Sequence, residues 1–263
     1  MLQPLAYIHP QAKISDNVVV EPFVTIHKNV EIDSGTWVGS NVTIMEGARI
    51  GKNVKIFPGA VISAIPQDLK YEGEETTAEI GDNTTIREFV TINKGTKQTN
   101  KTVVGSNCLL MAYVHVAHDC VIGNNCILAN GVNLAGHIFV DDYAIIGGLS
   151  AVHQFGSIGK HSIVSGGSLV TKDIPPYTKA ARYPLSYAGV NSIGLRRRGF
   201  SDEKISELQN IYRILFNNGM NVSQAVAYIE AEMKPTPERD EILDFIAASK
   251  RGLMKRYQFK NRQ

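Results

Sequence analysis

An aliphatic residue at every sixth position constrains the fold of this chain more than any other feature. The column runs in steps of six from Ile8 through Ile14, Val20 and Ile26 to Ile62. It reappears at Ile80, Ile86 and Ile92, and again from Val104 through Leu110 and Val116 to Val170. A helix repeats near 3.6 residues and an alternating strand near 2, so neither produces a strict six. Four residues further on, a second column holds small or β-branched side chains, Val18, Val24 and Val30 early and Cys108, Cys120 and Cys126 late. Between the columns recur Gly51-Lys52-Asn53, Gly105-Ser106-Asn107 and Gly123-Asn124-Asn125, residues suited to tight corners. The reading is a mainly β solenoid whose flat faces each use six residues. Three faces close an eighteen-residue coil with the aliphatic column inward, and coils stack at about 4.8 Å. Stability then comes from neighbour packing on neighbour rather than from one globular core.

The beat breaks twice and then stops. Residues 63–79 carry Pro66-Gln67-Asp68-Leu69-Lys70-Tyr71 and an acidic run from Glu72 to Glu75; residues 93–103 carry Asn93-Lys94-Gly95-Thr96. Insertions in a solenoid become surface loops and gather on a binding face. After Val170 the pattern ends at Asp173-Ile174-Pro175-Pro176-Tyr177, and from Ser201 the period turns helical. Ile205, Leu208, Ile211, Tyr212 and Leu215 mark one helix, with Ser201 as N-cap and Asn217-Asn218-Gly219 as its stop. Val222, Ala225, Val226 and Ile229 mark a second, and Ile242, Phe245 and Ile246 a third. The expected organisation is a solenoid over 1–186 with loops at 63–79 and 93–103, then a small α-helical domain over 187–263 that covers one solenoid end. The formal charge of +2 gives no basic excess for nucleic acid. No apolar run is long enough to cross a membrane and no leader opens the chain, so a cytoplasmic protein is expected. The three cysteines, all in the inward column, read as small buried hydrophobes rather than a thiol or metal site.

Five of the seven histidines, His115, His118, His137, His153 and His161, fall in the late coils. Adding eighteen moves one coil along the same edge, so His118, Gly136 and Gln154 form one column, with His137 and His153 one residue to either side. His118, His137 and His153 should then cluster within about 10 Å along the axis. Two chemistries suit such a cluster. One is general-base catalysis, in which a neutral imidazole takes a proton from a hydroxyl attacking an acyl group. Asp119 would support that base, although adjacent strand residues point to opposite sides unless a corner intervenes. The other is a zinc site on His115, His118 and His137 that activates water, as in the β-helix carbonic anhydrases. A purely structural β-helix is the third reading; it needs neither the histidine edge nor the run Arg196-Arg197-Arg198. That run on its own also reads as a solvated basic patch or a docking surface for an acidic partner.

The [Ile/Val/Leu]-Gly-x-x-x-x hexad resembles the hexapeptide-repeat acyltransferases, and that resemblance implies a left-handed parallel β-helix. General rules favour right-handed crossovers, so the hand follows from the family alone. The strings Gln67-Asp68-Leu69-Lys70-Tyr71, His115-Val116-Ala117-His118-Asp119-Cys120, Leu134-Ala135-Gly136-His137 and Ala151-Val152-His153-Gln154-Phe155 resemble the branch of that family that acylates UDP-N-acetylglucosamine. So does the stretch from Gly189 to Phe200, and the likeness spans essentially the whole chain. It implies transfer of an (R)-3-hydroxyacyl group to the glucosamine 3-hydroxyl, the first step of lipid A biosynthesis. The acyl group arrives on the phosphopantetheine of acyl carrier protein; no metal and no other cofactor is implied. A homotrimer with active sites in clefts between subunits is implied too.

Carried onto this chain, the family makes His118 the general base, Asp119 its support and the Gly136 N–H an oxyanion donor. His115, His137, His153 and Gln154 would contact sugar or acyl group. Asp68 and Lys70 would grip the sugar nucleotide, and Asn191, Arg197 and Arg198 the acyl or nucleotide part. The family measures acyl length by bulk near Gly166, where Val164-Ser165-Gly166-Gly167 offers none, so a long chain is expected. Two positions depart from the pattern: Ile193 stands where members often carry an acidic residue, and Asn93 where some carry histidine. A related acyltransferase acting on the next, deacetylated sugar carries an extra N-terminal domain, and hexads beginning at Ile8 leave it no room.

Overall fold

The computed structural model describes residues 5–217 and 219–256. Each hexad contributes a two-residue strand such as Thr25–Ile26 or Thr43–Ile44, and successive coils pair in parallel with Ile26 opposite Ile44. The strands form three sheets. The first runs from Tyr7–Ile8 to Leu169–Val170 in nine strands, and the second from Lys13–Ile14 to Ser157–Ile158 in eight. The third starts at Val19–Val20 and has ten strands. Together they make the left-handed parallel β-helix expected of the repeat. Ile26, Ile44, Ile62, Leu110, Leu128 and Leu134 have no exposed surface, and neither have Cys120 and Cys126. Burial pushes the Cys120 thiol up to about 12, so it stays protonated and inert.

Six residues leave room for two in a strand and a corner that must reverse quickly. One residue of nearly every corner therefore lies in the left-handed region. Along the edge between the second and third sheets it is often asparagine: Asn53, Asn83, Asn107 and Asn125 have φ of 54°, 57°, 57° and 58°. Along the edge between the third and first it is Phe23, Phe89, Tyr113 or Leu149, with φ from 57° to 64°. Each such residue without an Asn or Gly excuse costs about 1–2 kcal/mol, partly offset where neighbours stack, as Phe89 does on Tyr113 at 5.3 Å.

Both breaks in the beat are loops, shorter than the pattern suggests because strands run into them. The chain leaves the first sheet after Val61–Ala64 and rejoins the second at Thr77–Ile80; it leaves again after Thr91–Asn93 and rejoins at Lys101–Val104. The loops lie over the edge between the first and second sheets and interlock. Thr76 Oγ1 donates to the Gly95 carbonyl at 2.6 Å, and the Lys97 N–H to Glu74 Oε1 at 3.0 Å. Asn93, 2% exposed, donates through Nδ2 to the Ile65 carbonyl at 3.1 Å, while its buried Oδ1 has no partner among the described residues.

Beyond the solenoid two elements appear that periodicity did not suggest. Strands Thr178–Ala181 and Ser186–Val190 form an antiparallel hairpin on the end of the third sheet, so the boundary expected after residue 186 falls inside a strand. Helix α1, Ser192–Arg197, is a short turn capped by Asn191. The three expected helices follow as α2 (Asp202–Asn217), α3 (Val222–Glu232) and α4 (Pro237–Ala248). Ser201 Oγ accepts from Lys204 N at 3.2 Å, as an N-cap does. The expected stop of α2 includes Asn218, and the helical domain was drawn to residue 263; residues 218 and 257–263 lie outside the described residues. Leu208, Ile211, Tyr212, Ala225, Ile229 and Ile242 form a second core. Tyr212 ties it to the solenoid end by donating to the Pro176 carbonyl at 2.5 Å, and Met254 N bonds back to the Asp173 carbonyl at 2.9 Å.

Candidate active site

The edge between the first and second sheets collects the chemistry. Three successive corners there place Asp119, His137 and Phe155 in the left-handed region, at φ of 60°, 60° and 63°. In an extended strand Asp119 would face away from His118. The corner turns it back, and Asp119 Oδ2 lies 2.7 Å from His118 Nδ1. His137 meets the His118 ring edge-on at 5.1 Å and stacks on Phe155 at 4.7 Å. Its pKa is lowered by burial against the raising effect of Asp119.

Asp119 is 3% exposed, and burial alone would raise its pKa. Hydrogen bonds from Thr99, His118 and Thr96 outweigh that and hold the carboxyl below its ordinary range. An ionised carboxylate only accepts, so the proton between the two side chains belongs to His118 Nδ1, and in the neutral ring the lone pair is then on Nε2. Nε2 faces Asp68 Oδ2 across 4.0 Å, on the first loop. It also faces Gly136, where a Cβ would lie 2.6 Å from Cε1 and 2.8 Å from Nε2. On the asparagine edge the central corner N–H is taken by the next coil, Ser106 N by Asn124 Oδ1 and Asn124 N by Asp142 Oδ1. The equivalent N–H of Gly136 has no acceptor among the described residues. Together these groups offer a base, its support and an open backbone donor, the set needed for acyl transfer to a hydroxyl.

His118, Asp119 and His137 also bring one donor atom each within 4.8 Å of one another, a spacing a metal ion can use. That trio differs from the one expected of a zinc site, because His115 is not in it. His115 Nδ1 lies 2.7 Å from Thr91 Oγ1, and burial, then the nearby His118, lowers its pKa. The carboxylate has little to give a metal: both of its oxygens already accept hydrogen bonds from Thr96, Thr99 and His118.

The other expected residues spread over all three edges. His153 is exposed, with Nδ1 3.1 Å from the Gln154 carbonyl, and among the described residues no hydrogen bond or ring contact joins it to His118. The Gln154 carbonyl also accepts from Arg251 Nη1 at 3.2 Å. Lys70 is exposed on the first loop, its N–H bonded to Asp68 Oδ1 at 3.0 Å. Asn191 is buried; Nδ2 donates to the His161 carbonyl at 2.9 Å and Oδ1 caps α1. Arg198 covers Tyr143 at 5.3 Å and donates to its carbonyl, while Arg197 is exposed. Ile193 is exposed as well. Gly166 lies between strands Ile163–Val164 and Leu169–Val170, at the edge between the third and first sheets. Within one chain, Gly166 and Arg198 therefore belong to edges other than that of His118. Thr96 and Thr99 escaped the sequence reading, since threonines in a polar insertion carry no signal of what they will face.

A three-sheet parallel solenoid of six-residue repeats, with a histidine–carboxylate pair on one edge, defines a hexapeptide-repeat transferase. The family model of the bacterial transferase hexapeptide matches residues 29–64 and 101–136, and that of UDP-N-acetylglucosamine O-acyltransferase, domain 2, matches residues 173–254. The acyl-[acyl-carrier-protein]–UDP-N-acetylglucosamine O-acyltransferase of Thiobacillus denitrificans is 46% identical, over 97% of this chain and 99% of its own length. The chain belongs to the UDP-N-acetylglucosamine O-acyltransferase family and is an acyltransferase. LpxA of Bacteroides fragilis, a UDP-N-acetylglucosamine acyltransferase, matches in structure with a TM-score of 0.95 and 53% identity, over 97% of this chain and 100% of that one. The Arabidopsis UDP-N-acetylglucosamine acyltransferase matches with a TM-score of 0.84 and 33% identity, over 97% and 100%.

Proposed function

We propose that this chain transfers an (R)-3-hydroxyacyl group from acyl carrier protein to the 3-hydroxyl of UDP-N-acetylglucosamine, the first step of lipid A biosynthesis, with His118 as general base. The names of its relatives support the two substrates. The mechanism rests on one observation: His118 Nδ1 lies 2.7 Å from Asp119 and its Nε2 lies against Gly136, whose N–H has no acceptor among the described residues. Nε2 takes the sugar hydroxyl proton as the oxygen attacks the thioester carbonyl. Asp119 stabilises the imidazolium, and the Gly136 N–H holds the oxyanion. Collapse breaks the carbon–sulfur bond, and the imidazolium returns its proton to the leaving thiolate. No metal takes part; the hydrogen bonds that occupy Asp119 support that reading.

Three copies complete the site in this proposal. Gly166 and Arg198 stand on other edges than His118, so a groove that uses them with Arg197 and His118 lies between subunits in this proposal, and a homotrimer provides three equal clefts. His115, His137, His153 and Gln154 then line the cleft from one subunit, with Asp68 and Lys70 over the sugar nucleotide. With no bulky side chain in Ser165-Gly166-Gly167, the groove takes a long acyl chain. Among the described residues no helix is long and apolar enough to cross a membrane, in keeping with a site of action in the cytoplasm. The test is transfer from a series of 3-hydroxyacyl carrier proteins to UDP-N-acetylglucosamine, with and without His118→Ala. We expect wild-type turnover and a loss of about 10²–10⁴-fold in the variant. Full activity in His118→Ala removes the base, failure with every chain length rejects the function, and stoichiometric zinc on the active protein overturns the metal-free mechanism.

A further inference from the structure

Asp119 is gripped by more than the imidazole beside it. Thr96 directs its backbone N–H to Oδ1 at 3.0 Å and its hydroxyl to Oδ2 at 2.8 Å. Thr99 donates its hydroxyl to Oδ1. The Asp119 N–H in turn donates to Thr102 Oγ1 at 2.8 Å. With His118 on Oδ2, each carboxylate oxygen accepts two hydrogen bonds, the full capacity of the group. Three of those four come from a loop that the solenoid does not need for its own closure.

We propose that residues 96–99 of the second insertion are a clamp that fixes the rotamer of Asp119, making Thr96 and Thr99 positioning residues of the transfer reaction. The inference rests on His118 and Asp119 being the catalytic pair. Its physical basis is directional. Oδ2 is shared between Thr96 and His118, so a carboxylate turning about its own axis breaks both bonds together. Without the clamp, an aspartate at a left-handed corner can swing either oxygen toward water, and the ring it holds swings with it. The Thr96 hydroxyl accepts from Gln98 N at 3.3 Å, which leaves its single proton for Oδ2. The Thr99 hydroxyl also lies 3.0 Å from the Lys101 carbonyl, but the charged oxygen is the nearer and stronger acceptor. Clamp and acceptor loop are one unit, because Thr76 binds the Gly95 carbonyl and Glu74 binds Lys97 N. The loop that carries Asp68 and Lys70 is thereby braced against the loop that sets the base.

The test compares Thr99→Val, which keeps the shape and loses the hydroxyl, with Thr99→Ser, which keeps the hydroxyl and loses the methyl. Thr99 is exposed, so neither change threatens the fold. We expect kcat to fall about tenfold in the valine variant, as for loss of one hydrogen bond to a charge. The KM for UDP-N-acetylglucosamine should stay within about twofold, and serine should restore kcat to within about threefold of wild type. In an Asp119→Ala background the valine change should cost nothing further. Wild-type kcat in Thr99→Val, serine as poor as valine, a loss confined to KM, or additive losses in the double variant would each overturn the clamp. A wild-type protein that transfers no acyl group would instead reject the reading of function on which the clamp depends.

Discussion

Gly136→Ala places a methyl group against the base. Its Cβ would sit 2.6 Å from His118 Cε1, 2.8 Å from Nε2 and 3.2 Å from Nδ1, where ordinary contact begins near 3.4 Å. Gly136 is not among the residues at positive φ, so alanine meets no backbone strain and the whole effect passes through the ring. The ring has nowhere to yield: Asp119 holds Nδ1 at 2.7 Å, and His137 stands edge-on at 5.1 Å. Relief of the overlap requires a displacement of about 0.6–0.8 Å. A misplacement near 1 Å costs on the order of 10²-fold in rate, so kcat should fall about 30- to 100-fold, or about 2–3 kcal/mol. Gly136 is buried, so the overpacking also lowers the thermal midpoint, but only modestly because the crowded contact is with a single ring. Turnover at saturating substrates and a melting curve check both halves. The double variant Gly136→Ala/His118→Ala adds a control, since a methyl group acting only through His118 does no further harm once the ring is gone. Near-wild-type kcat in the single variant, or a double variant far worse than His118→Ala alone, refutes the reasoning.

Asp119→Asn keeps the size but turns an NH₂ toward groups that donate; we expect kcat to fall about 10²–10⁴-fold with KM largely unchanged, because the ring loses its tautomer. A variant with a raised KM and normal kcat would show that Asp119 binds substrate instead. His161 lies between Tyr143 and Tyr177, and burial, with Arg198 and Lys160 nearby, lowers its pKa from 6.5 to about 4. Its native ring stays neutral while the unfolded chain takes a proton, so stability is full above about pH 6.5 and falls as pH drops toward 4, by about 3 kcal/mol at most. His161→Phe keeps the stack and should flatten this acid slope in urea midpoints measured between pH 7 and 5; an unchanged slope assigns it to other groups.

The solenoid was legible because its determinant is local and periodic. An aliphatic side chain every six residues has one way to be buried, and the in-register stack of Ile26 on Ile44 or Leu110 on Leu128 follows from it. The site was legible in part for the same reason. Counting in eighteens brings His118 to Gly136, and the ring lies against that glycine. What periodicity cannot supply is orientation at the corner. That Asp119 turns back onto His118 depends on a φ of 60°, a property of the corner and not of the residue's place in the count. His153 shows the converse, since it shares the edge but faces solvent. The hairpin from Thr178 to Val190 and helix α1 were missed because neither carries a period; both are short, and both are held by tertiary contacts such as Asn191 Nδ2 on the His161 carbonyl.

A stack of regular coils supplies position cheaply but supplies few hydrogen-bond donors. On the asparagine edge the next coil consumes the corner N–H of Lys52, Ser106 and Asn124, and at Asp142 the neighbouring Asp141 does so. A buried carboxylate at such a corner would have one imidazole and little else, and burial would push it toward the neutral form. The insertion at residues 94–100 removes that obstacle. It rejoins the second sheet through Val103, whose partner in the next coil is Val121, so the loop hangs directly over the corner that carries Asp119. An insertion one coil earlier or later would miss it by about 4.8 Å, beyond the reach of a threonine hydroxyl. The break in the beat thus stands where the chemistry requires donors, and the same register that places His118 above Gly136 places Thr96 and Thr99 above Asp119.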